Sequence, residues 1–122
     1  MAATDITEID AEKLMRMLSL HVNFLLFDTR SLEEYNKGHI RGAHHVPAKS
    51  VDLFVAELSK MIPQKDTPVV IYDNDGVASA ELVFSAESHG FINIVNLEGG
   101  YTSYVAAAGP GPGSNTDTDS GT

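Results

Sequence analysis

Short unbroken apolar runs alternate along this chain with apolar residues spaced three and four apart, and turn-forming residues separate the two kinds of segment. Leu14, Met15, Met17 and Leu18 form a stripe behind a cap at Thr7 or Asp10, which predicts a first helix. Phe24-Leu25-Leu26-Phe27, ending at Asp28, reads as a strand buried on both faces. Ser31-Leu32-Glu33-Glu34 has the capping-box spacing, so a short helix carrying Tyr35 should stop at Gly38. His44-His45-Val46-Pro47 should be extended, because a residue before proline avoids the helical region.

A third helix is expected from near Ser50, with Leu53, Phe54, Leu58 and Met61 on one face and Pro63 limiting it. Pro68-Val69-Val70-Ile71-Tyr72 is the clearest strand. It runs into the turn cluster Asp73-Asn74-Asp75-Gly76, followed by a helix through Leu82, Val83 and Ala86 that ends at Gly90. Phe91-Ile92-Asn93-Ile94-Val95 predicts another strand, and Leu97-Glu98-Gly99-Gly100 leads to a last short helix with Tyr101, Tyr104 and Val105. Strands separated by helices argue for an α/β fold with a parallel sheet covered on both faces. Ligand sites in such sheets lie beyond the carboxyl ends of the strands, which directs attention to the Tyr72–Ser79 turn. Backbone amides at such a strand-to-helix turn form a pocket for negative charge.

The 122 residues, 43% apolar, suffice for one packed core, so a single domain over residues 1–108 is expected. Residues 109–122 hold only Gly, Pro, Ser, Asn, Thr and Asp, and are expected to form a disordered tail. No apolar run is long enough to cross a bilayer, and the N-terminus lacks a basic stretch followed by an apolar one, so a cytoplasmic protein is expected. The net charge of -9 argues against nucleic-acid and membrane partners. All eight Lys and Arg lie at or before Lys65, leaving the rest of the chain without a permanent side-chain cation. The absence of cysteine excludes a disulfide framework, a thiolate metal site and a thiol nucleophile.

The segments Phe27-Asp28-Thr29-Arg30, Glu33-Glu34-Tyr35, Gly38-His39-Ile40-Arg41-Gly42-Ala43, Val46-Pro47, Ile71-Tyr72, Gly90-Phe91, Val95 and Leu97-Glu98-Gly99-Gly100 together resemble the rhodanese family, over about residues 6 to 107. The resemblance implies one rhodanese-like domain with three α/β/α layers around a central, mostly parallel five-stranded sheet. It also implies sulfur transfer from thiosulfate or persulfides in active members, through a cysteine at the end of the central strand and a six-residue loop whose amides surround the sulfur. Asp28 and Arg30 then read as a structural ion pair, Tyr101 and Tyr104 as core or rim residues, and His39 as part of a structural turn.

This chain's loop reads Asp73-Asn74-Asp75-Gly76-Val77-Ala78. The family's cysteine position holds Asp73 and its usual closing arginine is Ala78, while the mid-loop glycine is kept as Gly76. A carboxylate cannot form the enzyme persulfide, because that step needs a polarizable thiolate. Two carboxylates about 7 Å from a dianion would each oppose each unit charge by on the order of 2 kcal/mol at an effective dielectric near 20. Thiosulfate is therefore expected to bind poorly as well as fail to react. The Asp73 carboxylate is expected either to occupy the loop's own anion hole, as a plug and helix cap, or to turn to solvent from a drifted position.

The resulting expectation is a catalytically inactive rhodanese-like domain that binds an unidentified protein or small ligand, a basic one given the acidic second half, with no cofactor or metal. As a detached remnant of a larger assembly it would only fold. A competing reading rests on Tyr72-Asp73-Asn74-Asp75-Gly76, which also resembles the first motif of haloacid-dehalogenase-type phosphatases. Asp73 would then attack phosphate, with Asp75 and magnesium assisting. That reading lacks the downstream lysine such enzymes need. Adjacent His44 and His45 should point to opposite faces, which weakens a metal site built with His39, and Asp73 and Asp75 lack the spacing of a calcium loop.

Overall fold

The computed structural model describes residues 6–109. Strands and helices alternate through it: β1 Glu8–Ile9, α1 Ala11–Ser19, β2 Leu25–Asp28, α2 Leu32–Lys37, β3 His44–His45, α3 Val51–Met61, β4 Val69–Tyr72, α4 Ala78–Ser88, β5 Ile94–Leu97 and α5 Gly100–Ala108. The strands form one five-stranded sheet in the order β1-β5-β4-β2-β3, every pair parallel, which puts β4 at its centre. The expected tail lies, beyond Gly109, outside the described residues.

The pleat of β4 sorts the core into two layers. Val69 and Ile71 join Phe27 and Ile94 against Phe54, Val55 and Leu58 of α3 and Leu82, Val83 and Ala86 of α4. Val70 and Tyr72 join Leu26 and Leu97 against Ala11 and Leu14 of α1 and Tyr104 of α5. The sheet is thus covered on both faces, in the three α/β/α layers expected. Among the described residues, no helix is long and apolar enough to cross a membrane.

The caps follow the sequence where it named a side chain. Asp10, rather than Thr7, caps α1 by accepting from the Lys13 N–H at 2.8 Å. Ser31 and Glu34 form the capping box of α2, and Ser50 caps α3 through the Leu53 N–H. α4 starts at Ala78 with no side-chain bond from its N-cap Val77.

Three expectations need correction. β1 went unseen because two residues carry no periodicity, yet the Asn96 N–H donates to Thr7 O and the Glu98 N–H to Ile9 O, fixing it beside β5. The strand expected at 91–95 runs instead over Ile94–Leu97. The Phe91 N–H closes the end of α4 on Ala86 O and the Ile92 N–H donates to Lys65 O, so this apolar stretch is a turn with Ile92 at the surface. On α3 the buried face is Phe54, Val55 and Leu58, whereas Leu53 and Met61 stand exposed.

Candidate functional site

β4 delivers its chain to the carboxyl edge of the sheet at Tyr72, and residues 73–77 connect it to α4. Asp73, the first residue out of the strand, folds its side chain back under this loop. Its Oδ1 accepts from the Gly76 N–H at 2.6 Å and from the Ser79 hydroxyl at 3.0 Å, and its Oδ2 accepts from the Ser79 N–H at 3.1 Å. Of the two orientations open to Asp73 from sequence, the inward one is adopted. The carboxylate caps α4 from outside the helix, supplying an acceptor to the first-turn Ser79 N–H, to which Val77 offers no side-chain bond.

Ser79 and Asn96 extend the arrangement into the core. Both are fully buried, and the Ser79 hydroxyl lies 2.5 Å from Asn96 Oδ1. The Asn96 amide group donates to Gly76 O at 3.0 Å and to Glu8 Oε2 at 2.8 Å, so one β5 side chain ties together the loop, α4 and β1. Sequence reading gave neither residue a role. The usable signal was a polar Asn inside an apolar strand, since a buried amide in a sheet is kept only where its hydrogen bonds are met.

The loop's carbonyls are bound as firmly as its amides. Asp73 O accepts from the Tyr101 N–H at 2.8 Å and Asn74 O from the Thr102 N–H at 3.0 Å, so the loop backbone caps α5. This approach requires glycine at 100: a Cβ there would lie 2.6 Å from Asp73 O and 2.7 Å from Asn74 O, on a backbone already at φ +61°. Gly100 thus serves close backbone contact with the loop, whereas a Cβ at Gly99 would run into the Ser103 side chain.

Arg30 holds the opposite flank. Asp28, fully buried, accepts from the Arg30 backbone N–H at 2.9 Å, from Nε at 3.0 and 3.1 Å and from Nη2 at 2.7 Å. Nη2 also donates to Gly38 O at 2.6 Å and Nη1 reaches Asn74 Oδ1 at 3.4 Å, while the guanidinium lies 4.1 Å from the Tyr101 ring centre. Burial works against the Arg30 charge, but the hydrogen bond and charge of Asp28 outweigh it and raise the pKa. Burial, with Asp28 nearby, likewise pushes the Tyr72 phenol far above its ordinary range. The Tyr72 hydroxyl accepts from the Ile40 N–H at 3.0 Å. The buried pair is the structural anchor that the resemblance implied, binding β2, the end of α2, the loop and α5 into one unit.

On the solvent side, Asn74 Nδ2 donates to Glu34 Oε2 at 2.7 Å and Asp75 Oδ1 accepts from the Val77 N–H at 3.0 Å. The hydrogen bond from Asn74, and then those from Ser31, lower the Glu34 pKa. Val77 and Ala78 are exposed, so the position of the family's closing arginine carries a methyl group facing water. The sequence-named residues therefore come together as one loop, with Asp73 and Gly76 turned inward and Asn74, Asp75, Val77 and Ala78 outward.

The histidines go to separate tasks. His39 stacks on Tyr35 with ring centres 3.9 Å apart and donates to Tyr35 O at 3.0 Å, and His45 donates to Arg30 O at 2.6 Å. His44 meets Phe27 edge-on, on the opposite face of the sheet from the Tyr35–His45 contact. Among the described residues, no group of three or more His, Asp or Glu is placed to hold a metal ion.

Residues 10–107 match the rhodanese-like domain family. The chain is similar to the crystal structure of the Alr3790 protein from Anabaena sp., with a TM-score of 0.76 and 26% identity over 92% of this chain and 86% of that one. A rhodanese-like domain protein from Staphylococcus aureus aligns with a TM-score of 0.69 and 27% identity, over 81% and 91% of the two chains. The uncharacterized protein YqhL of Bacillus subtilis is 29% identical over 79 residues, 65% of this chain and 59% of the relative. The chain spans 49% to 59% of the length of the curated relatives it matches.

Proposed function

The chain belongs to the rhodanese-like domain family, and on that premise we propose that it is a member that does not transfer sulfur and acts by binding a protein or small ligand. The observation that carries this reading is the Asp73 carboxylate at the carboxyl end of β4, bonded to Gly76 and Ser79 in the place where the loop would receive a sulfur anion. Sulfur transfer from thiosulfate needs a thiolate that attacks the sulfane sulfur while sulfite leaves with the electron pair of the broken S–S bond. Asp73 offers a hard oxygen nucleophile instead, and its charge already uses loop donors that would stabilise the incoming anion.

The retained scaffold supports binding over mere loss of function. Arg30, Asn96 and Gly100 still hold the loop in a defined shape, so the surface around it remains pre-formed. The aspartyl-phosphate alternative gains no support, because Asp73 turns both oxygens toward the loop's own donors and Asp75 accepts from Val77. Magnesium titration checks it: amide signals of residues 73–77 that shift with a saturable profile would revive it.

The deciding assay is thiosulfate-to-cyanide transfer by the chain and by the double variant Asp73→Cys, Ala78→Arg. No turnover is expected from the chain, and weak turnover from the double variant, in which both a thiolate and a cation return to the loop. Turnover by the unaltered chain would reject the proposal.

A further inference from the structure

Beside the loop, an open groove of about 800 Å3 runs between β1 and the outer face of α4. Ile6, Val77, Ala80 and Phe84 give it an apolar lining, and Glu8 and Glu81 supply carboxylates. Val77, the N-cap of α4, and Phe84, on the helix seven positions later, leave 69% and 40% of their surface exposed. β1 is an end strand, so among the described residues its outer backbone edge faces no neighbour in the sheet.

Among the described residues, the charges at this groove are all of one sign. Glu8 is held in place by Asn96 Nδ2, and neither Glu8 nor Glu81 takes part in an ion pair among the described residues. The α4 side of the groove belongs to the part of the chain after Lys65, which has no Lys or Arg. We propose that the groove docks an extended cationic segment of another protein, which lies alongside β1, sets apolar side chains against Val77 and Phe84, and pairs Lys or Arg with Glu8 and Glu81. An extended segment suits an open sheet edge because its backbone continues the sheet while alternate side chains enter the groove. Charge disfavours a second copy as occupant: a two-fold contact sets the same acidic patch against itself, with no Lys or Arg in the groove to meet Glu8 and Glu81, in a chain of net charge -9.

This inference deepens the proposed binding role and rests on it. The test is an NMR titration of the full chain with a short peptide alternating Lys and Leu, beside one twin with Glu for Lys and another with Ser for Leu. Saturable shifts are expected at Ile6, Glu8, Val77, Ala80 and Phe84, with binding at least about tenfold weaker for each twin, a difference of about 1.4 kcal/mol. Ala80→Arg, which fills and repels, and the surface change Glu81→Lys should each weaken the Lys-Leu peptide by a similar factor, and Glu81→Lys should improve the Glu twin. The proposal is overturned by shifts that do not saturate or centre elsewhere, by equal binding of either twin, or by indifference to both variants. Self-association mapped to these residues by sedimentation would assign the groove to a second copy and overturn it too. The outcomes separate from those above: sulfur transfer by the chain rejects the inactive reading without moving these shifts, and an empty groove leaves the transfer result standing.

Discussion

Replacing Gly100 with alanine should damage this domain more than replacing another left-handed glycine, and the difference isolates the contact between the loop and α5. Gly42 and Gly100 both have positive φ, +84° and +61°, but an added Cβ meets nothing within 4 Å at Gly42 and lies 2.6 Å from Asp73 O at Gly100. Left-handed backbone costs an L-residue about 1–2 kcal/mol, offset by about 0.4–1 kcal/mol because alanine stiffens the unfolded chain. Gly42→Ala should therefore cost about 0.5–1 kcal/mol. At Gly100 the loop must also withdraw, loosening the bonds from the Tyr101 and Thr102 amides, at about 0.5–1.5 kcal/mol each. That brings Gly100→Ala to about 1.5–4 kcal/mol, a large part of the roughly 5–15 kcal/mol that stabilises a domain of this size. Urea unfolding followed by circular dichroism gives both values, with equal slopes expected. If the two variants agreed within about 0.5 kcal/mol, the claim that α5 is capped by a loop admitting no Cβ would be wrong.

Asp28→Asn leaves the buried Arg30 charge without its counter-ion and should cost about 3–5 kcal/mol in the same urea measurement; a loss under about 1 kcal/mol would show that the pair is not an anchor. Asp73→Ala removes the acceptor of the Gly76 and Ser79 amides, so a loss of about 1–3 kcal/mol is expected, with faster hydrogen exchange at those two amides and unchanged exchange in α3 as the check. Glu34, held below its ordinary value of 4.5, contributes stability that is present above that pH and is lost as the pH falls through its lower folded value. Glu34→Gln should accordingly flatten the fall of the urea midpoint below pH 4.5, and a parallel pH profile would remove Asn74–Glu34 as a pH-dependent clamp.

What could be read beforehand divides along physical lines. Capped helices and the β4 run were visible because the signal is local: Ser31 and Glu34, or Asp10 before Leu14, determine their surroundings within one turn. The expected strand at 91–95 failed for the opposite reason. Phe91-Ile92 is as apolar as a strand, but the amides that decide its shape bond to Ala86 and Lys65, one of them far away in sequence. Asn96 fell just past the expected strand and was given no role, although burial with three partnered groups makes it the most connected residue of β5. The direction taken by Asp73 was equally non-local, since Asp before a turn suits solvent as well as an anion hole, and Ser79 and Gly76 decide between them.

That last choice bears on why the rest of the site remains intact. The buried Gly76 and Ser79 N–H groups at the end of β4 would each forfeit about 1–3 kcal/mol if left unsatisfied, so the loop keeps its shape only with an acceptor there. Asp73 supplies one with the chain's own negative charge. The surrounding parts, Asn96 under Gly76 and Gly100 against Asp73 O, then stay in register without a ligand. Because Asn96 also grips Glu8, the filled loop fixes the carboxylate at the groove beside it, and the two sites share one support. Asn96→Ala should therefore release both: faster exchange at the Gly76 amide and a weakened Lys-Leu peptide together, while Asn96→Asp, which keeps an acceptor for Ser79 but sets a charge against Gly76 O and Glu8, should spare neither. A variant at this position that loosened the loop and left the groove's affinity untouched would show that the two are independent.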